Sequence, residues 1–207
     1  MNSLKLVIFD CDGVLFDSRE ANRHYYNDLL LRFGHPVMNE EEVEYVHMHN
    51  VQDSVRHIFR NFPADIEKAN GYRVELDYRP YLLHMKMEPD LPQFLDFLRP
   101  NFRTAISTNR TTTMPEVLRV HGLEGRFEMV VTALDVNRPK PHPEALEKIL
   151  FHFDLHVEQA VYIGDSIIDR QHTEAIGMRL IAFKNQKLPA DFHANSFTEV
   201  MKLPLFS

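Results

Sequence analysis

The strongest constraint on this fold is where strand patterns occur and where they do not. Leu4-Lys5-Leu6-Val7-Ile8-Phe9 has the apolar run of a buried strand, and it leads directly into Asp10-Cys11-Asp12-Gly13. The next strand pattern is Arg103-Thr104-Ala105-Ile106-Ser107, and the segment between, from about Asp17 to Glu88, reads as helical. Asp17 or Ser18 caps a first helix, with Glu20 spaced as the partner in a capping box. Ala21, Tyr25, Leu29 and Phe33 follow at helical spacing, and Gly34 and Pro36 stop it. Asn39 with Glu42 starts a second helix. Asn50 starts a third, with Val51, Val55, Ile58, Phe59 and Phe62 on one face and Pro63 as its end. A fourth helical stretch runs from Ala64 to Met87, broken near Gly71 and kinked at Pro80.

Beyond Pro89 the pattern alternates. A short helix carries Phe94, Leu95 and Leu98. After the Arg103–Ser107 strand, Thr113 caps a helix with Glu116 as its partner, and Gly122 stops it. Phe127–Val131, Gln159–Ile163 and Arg179–Ala182 read as strands. Helices separate them, one opened by Pro143 and one stopped by Gly177, and a short helical pattern follows near Thr198. Strands alternating with helices imply a parallel sheet joined by crossovers. A crossover needs far fewer residues than separate the first two strands. The economical reading is an α/β core, residues 1–16 and 89–207, with a helical domain, residues 17–88, inserted after the first strand.

Composition removes several classes of function. With 44% apolar and 26% charged residues, the chain has an ordinary globular make-up. Its longest apolar runs fall far short of a membrane span. The formal charge of −7 with no basic block argues against nucleic acid. The N-terminus lacks the three-part layout of a signal peptide. The one cysteine, Cys11, excludes an internal disulfide and agrees with a reducing, cytoplasmic setting. The twelve histidines are scattered, which argues against a His-rich metal tract.

Ligands of open α/β sheets bind outside the carboxyl ends of the strands. The first strand delivers Asp10 and Asp12 there, and the second Ser107, Thr108 and Asn109. The third leads to Asp135, Arg138 and Lys140, and the fourth delivers Asp165, Ser166 and Asp169. Carboxylates cannot crowd one small site as anions without a cation between them. An all-oxygen set suits Mg²⁺. Magnesium with a lysine and hydroxyl donors suits a phosphoryl group, and a carboxylate can itself act as nucleophile.

Asp10-Cys11-Asp12-Gly13-Val14-Leu15-Phe16-Asp17-Ser18 resembles the first motif of the haloacid dehalogenase-like (HAD) hydrolase superfamily. Ile106-Ser107-Thr108-Asn109 resembles the second, Arg138-Pro139-Lys140-Pro141-His142-Pro143 the third and Gly164-Asp165-Ser166-Ile167-Ile168-Asp169 the fourth. Order and spacing match from Leu4 to about Phe183. The look is that of phosphoglycolate phosphatase-like members with a helical cap after motif one. The resemblance implies a Rossmann-like parallel sheet core with an inserted α-helical cap domain. It also implies a Mg²⁺-dependent phosphatase that acts on a small phosphorylated metabolite through an aspartyl phosphate.

By the same resemblance Asp10 is nucleophile and metal ligand. Asp12 is acid and then base, with its carbonyl also on the metal. Thr108 and the backbone near Asn109 hold the phosphoryl oxygens. Lys140 neutralises Asp10 and those oxygens, while Asp165 and Asp169 complete the metal set. For Asp12 to be a proton donor at neutral pH, burial under a closed cap is expected to raise its pKa.

Each motif alone also reads as ordinary turn or cap chemistry; their joint order carries the reading. Cys11 is expected to face away from the metal, with acidic neighbours disfavouring its thiolate. A bulky thiol adduct there is expected to distort the loop. His47 and His49 lie on different helix faces, and a shared metal is not expected. Arg56, Arg73 and Arg79 are candidates for a second anionic group of the substrate, against the plainer reading of solvated helix faces. Two alternatives remain: a phosphomutase of the β-phosphoglucomutase type and a catalytically idle HAD-like binding module. The mutases carry a histidine where this chain has Asn22 and an acid where it has Gly164. Dehalogenases and phosphonatases lack the second aspartate that Asp12 supplies. Substrate, specificity residues and the choice between monomer and homodimer are not legible in the sequence.

Overall fold

The computed structural model describes residues 4–49 and 51–206. Two compact units emerge, one of residues 1–16 and 87–207 and the other of residues 17–86.

The larger unit is built on a six-stranded, all-parallel sheet. Its strands are β1 (Leu6–Phe9), β4 (Arg103–Ser107), β5 (Met129–Val131), β6 (Ala160–Gly164), β7 (Arg179–Phe183) and β8 (Phe192–Ala194). The spatial order is β5-β4-β1-β6-β7-β8. β1 is central, pairing Phe9 with Ile106 of β4 on one side and with Ile163 of β6 on the other. Every residue of β1 is buried, as a strand covered on both faces requires. The helices are α6 (Leu91–Leu98), α7 (Met114–Val120), α8 (Glu144–Phe153), α9 (Ile167–Glu174) and α10 (Phe197–Val200). Leu146 and Ile149 of α8 join Leu6, Ile8 and Tyr162 of the sheet in one core cluster. A second cluster is aromatic: Phe9 meets Phe94, Phe127 and Phe197 with ring centroids 5.6–6.1 Å apart. Part of the phenylalanine content is therefore core, whereas Phe151 is exposed.

The smaller unit is helical: α1 (Arg19–Arg32), α2 (Glu40–Met48), α3 (Val51–Ile58), α4 (Ile66–Glu75) and α5 (Arg79–Leu82). Tyr25 and Leu29 of α1, Val43 and Val46 of α2, Val55 and Ile58 of α3, and Tyr81 of α5 are buried. The Asn39–Glu42 capping box forms with both reciprocal bonds, 2.9 and 3.0 Å. The expected helix start at Asn50 lies outside the described residues.

Several local expectations fail for identifiable reasons. Asp17 and Glu20 form no capping box: the Asp17 carboxylate accepts from the Arg19 amide, and Glu20 pairs with Arg23. Thr113 makes no side-chain cap bond: its backbone is already helical, its hydroxyl accepts from Arg110 Nη1, and Glu116 pairs with Arg119 one turn on. α4 runs through Gly71 unbroken and ends at Glu75; Pro80 falls in the first turn of α5, where a missing amide costs nothing. Two-residue strands at Phe16–Asp17 (β2) and Lys86–Met87 (β3) pair where a purely helical segment was expected. Strand β8 was missed because Phe192-His193-Ala194 is too short to show a period.

A candidate active site at the carboxyl edge of the sheet

β1 ends at Phe9 and delivers Asp10, which is buried. Gly13 follows with φ of 78°, a left-handed conformation that glycine adopts without a Cβ penalty. A side chain there would collide with the Asp165 carboxylate, so glycine lets the loop close over that group. β6 ends at Gly164 beside Asp165, and α9 begins two residues later with Ser166 as its cap. In this capping box the Asp169 amide donates to Ser166 Oγ, and Asp169 Oδ2 accepts from the Ser166 amide, each at 3.2 Å. Asp169 thus both caps α9 and faces the site. Gly164 is required by closeness: a Cβ would lie 2.5 Å from Asp169 Cβ.

Asp10, Asp165 and Asp169 each offer a carboxylate oxygen within 4.8 Å of one another. Lys140 lies among them, 2.8 Å from Asp10 Oδ1 and 2.8 Å from Asp169 Oδ1, with its side chain only 3% exposed. Burial, reinforced by Asp169, lifts Asp10 to about 7. Burial together with Asp169 and Asp10 pushes Asp165 well above the usual carboxylate range. Asp169 is held below that range against the effect of its burial, by Lys140 and the Ser166 contacts. Burial would lower Lys140, but Asp10 and Asp169 more than reverse this and keep the ammonium charged. Three carboxylates thus face one ammonium, and the raised Asp10 and Asp165 are the mark of a crowding that Lys140 alone does not relieve. The donor set is all oxygen and the deficit is cationic, so Asp10, Asp165 and Asp169 fit a hard divalent ion such as Mg²⁺.

Thr108 is buried at the end of β4, its amide held by the Val131 carbonyl and its Oγ1 accepting from the Arg110 amide. Asn109 Nδ2 donates to the Lys140 carbonyl at 3.1 Å, tying the second and third motifs together. Asp12 stands apart from the three clustered carboxylates. Arg110 donates to it through Nε at 2.7 Å and Nη2 at 2.6 Å. The Asp12 side chain is 32% exposed and that of Arg110 9%. The contact is a two-point, charge-assisted one.

Sequence reasoning missed three residues. Arg110 was passed over because an arginine after a turn signal reads as surface. Tyr162 lies inside β6, where it reads as packing; its hydroxyl accepts from Lys140 Nζ at 3.0 Å and lies 2.9 Å from the Ser107 carbonyl and 3.2 Å from Asp169 Oδ1. His172 on α9 is fully buried, 3.1 Å from Ser107 Oγ, and burial, then Lys140, lowers it to about 4. Only the helical offset from Asp169 could have flagged it.

The other candidates are engaged elsewhere. Arg56 pairs with Asp53, Arg73 with Asn70 and Arg79 with Asp77, all on their own segments. Asp135 accepts from the Thr132 amide and hydroxyl, and Arg138 reaches toward Glu144. His49 stacks on Tyr45, centroids 3.8 Å apart. Cys11 is fully buried, and burial with Asp12 raises its thiol well above the ordinary value. A thiol reagent therefore reaches it only after the structure opens, so an adduct does not report on the folded loop.

Known proteins resemble this chain in sequence and fold. A haloacid dehalogenase-like hydrolase family model matches residues 7–183. The crystal structure of a HAD-superfamily hydrolase, subfamily IA, variant 1, from Geobacter sulfurreducens is 37% identical with a TM-score of 0.85, covering 100% of this chain and 98% of that one. Pyrophosphatase PpaX of Bacillus pumilus is 26% identical over 181 residues, 86% of this chain and 82% of its own length. Phosphoglycolate phosphatase of Vibrio cholerae is 27% identical over 180 residues, 80% and 78% of the two chains. No helix among the described residues is long and apolar enough to cross a membrane. The parallel sheet, the acidic cluster at its carboxyl edge and a family match over most of the length make this chain a member of the haloacid dehalogenase-like hydrolases.

Proposed function

We propose that the protein is a Mg²⁺-dependent phosphatase of small phosphate monoesters, with residues 17–86 as its cap. The observation that carries the reading is Lys140 bridging Asp10 and Asp169 at 2.8 Å beside Asp165. This cluster has the oxygen donors for one hard cation and a fixed ammonium for phosphoryl oxygens. Asp10, Asp165 and Asp169 with the Asp12 carbonyl would hold the ion, which would supply charge to offset the phosphoryl group. The Asp10 carboxylate attacks phosphorus in line, forming an aspartyl phosphate as the bond to the leaving oxygen breaks. Asp12 gives that oxygen a proton. It then takes one from the water that attacks phosphorus, and the bond to Asp10 breaks. Thr108 Oγ1, the Asn109 backbone and Lys140 hold the phosphoryl oxygens throughout.

Gly164 favours hydrolysis over the phosphomutase reading. The acid that mutases carry at this position needs a Cβ, and here it would lie 2.5 Å from Asp169 Cβ. An idle binding module has no use for a lysine buried between two carboxylates at this cost in desolvation. The test is phosphate release from a panel of phosphorylated metabolites with Mg²⁺, with Asp10→Asn as control. Turnover that depends on Mg²⁺ and vanishes in Asp10→Asn is expected. No release from any compound, or release that survives in Asp10→Asn, overturns the proposal.

A further inference from the structure

Tyr162 lies inside the acidic cluster, yet the phosphoryl chemistry above gives it no task. The sheet fixes its place. It pairs with Ile8 of β1 on one side and with Leu180 of β7 on the other, and it is fully buried. The His172 ring stands edge-on to its own, centroids 5.7 Å apart. The Tyr162 hydroxyl lies 2.9 Å from the Ser107 carbonyl, which can only accept. The phenolic proton therefore goes there first, with Asp169 Oδ1 farther off at 3.2 Å. A lone pair is left for Lys140 Nζ, 3.0 Å away.

Lys140 gives that contact its meaning. An ammonium is a point charge on a flexible stem, with three N–H donors and no acceptor. Nothing in the side chain itself sets which oxygens those donors serve. Here Asp10 Oδ1 and Asp169 Oδ1 lie 2.8 Å from Nζ and Tyr162 Oη 3.0 Å, one oxygen for each N–H. Asp10 Oδ1 also accepts from the Cys11 amide at 2.7 Å, whereas Asp10 Oδ2 accepts from none of the described residues.

We propose that Tyr162 is a positioning residue acting through Lys140: by accepting one N–H it confines the ammonium to one oxygen of Asp10 and keeps the other open for reaction. The inference rests on the phosphatase reading above. Without the hydroxyl, a buried N–H loses its partner, which is costly, and the acceptors that remain around Nζ are carboxylates. The ammonium then turns toward them. A second contact on Asp10 withdraws charge from the carboxylate that has to attack phosphorus. A phenol suits the place because it is neutral; another carboxylate there would add to the crowding. Substrate binding is shared with Thr108 and the Asn109 backbone, so the loss falls on kcat more than on KM.

The experiment compares the parent with Tyr162→Phe, using 4-nitrophenyl phosphate and Mg²⁺ at about 15 °C, near the usual stability maximum, so that the variant stays folded. A thermal melt verifies folding. Tyr162→Phe is expected to lower kcat by roughly 10- to 100-fold, the worth of a hydrogen bond to a charged group, with KM nearly unchanged. The second reading is the ¹⁵N-lysine ammonium resonance of Lys140, recorded without substrate and assigned by its absence in Lys140→Met. It is expected to shift and to exchange with water faster in Tyr162→Phe. A hydroxyl that only ties β6 to the Ser107 carbonyl lowers the melting temperature and leaves this resonance in place. Parent-like kcat in Tyr162→Phe, KM raised as much as kcat is lowered, or a lowered kcat with a parent-like resonance overturns the inference and leaves the phosphatase reading intact. Failure of the parent to release phosphate from 4-nitrophenyl phosphate and from the metabolite panel overturns both.

Discussion

Adding one methyl group at Gly164 tests the packing that holds the site together. The Cβ of Gly164→Ala would lie 2.5 Å from Asp169 Cβ, 2.7 Å from its Cγ and 2.9 Å from Oδ2. Carbon atoms rest about 3.5–4.0 Å apart, so β6 or Asp169 must retreat by about an ångström. Asp169 has little room to do so: it is fully buried, it holds Lys140 at 2.8 Å, and its other oxygen accepts from Ser166 Oγ at 2.7 Å. Overpacking of this kind costs about 1–3 kcal/mol. In a chain of this size that lowers the melting temperature by about 2–12 °C. A misplacement of about 1 Å in such a site can also cost about 100-fold in rate. Gly71→Ala is the matched control, because a Cβ there meets nothing within 4 Å in the middle of α4. It is expected to stabilise by up to about 1 kcal/mol. Thermal melts and Mg²⁺-dependent phosphate release are read on both variants. Parent-like melting and parent-like kcat in Gly164→Ala would refute the argument that Asp169 is immobile and needed where it stands.

Tyr162→Phe removes the hydroxyl shared by Lys140, Asp169 and the Ser107 carbonyl; a loss of about 1–3 kcal/mol in urea unfolding is expected, with kcat reduced more than KM is raised. His172 is held neutral, lowered to about 4 from an ordinary 6.5 by burial and then Lys140. Between those values the unfolded chain binds the extra proton, so this group's stabilisation is complete above about pH 6.5 and is lost as pH falls toward 4. The amount is about 3 kcal/mol, and urea titrations of His172→Gln are expected to show a flatter pH dependence than the parent across that window. Asn39→Ala deletes one side of the capping box and is expected to cost about 0.5–2 kcal/mol by thermal melt.

What the sequence revealed and what it hid divide along physical lines. β1, β4, β6 and β7 were legible because buried parallel strands are nearly unbroken apolar runs. The metal-site acids were legible because each follows such a run directly. Asp10, Asp165 and Asp169 could thus be placed on one edge before any coordinates. Caps were less legible, since a capping residue chooses among several local partners. Asn39 and Glu42 bond to each other, whereas Glu20 and Glu116 turn to Arg23 and Arg119. Arg110, Tyr162 and His172 were hidden because their partners are remote in sequence: Arg110 bonds across 98 positions to Asp12, and His172 across 65 to Ser107. No periodicity encodes such a pairing.

The central claim is that Asp10 carries the phosphoryl group during turnover. The direct measurement is to incubate Asp12→Asn with 4-nitrophenyl phosphate, whose leaving group departs without a donated proton, in the presence of Mg²⁺, then quench in acid and map the peptides by mass spectrometry. Without Asp12 as base the intermediate should persist, and the account predicts one phosphoryl group on Asp10. Full turnover by Asp12→Asn with no phosphorylated peptide, or a phosphoryl group on any other residue, would contradict it.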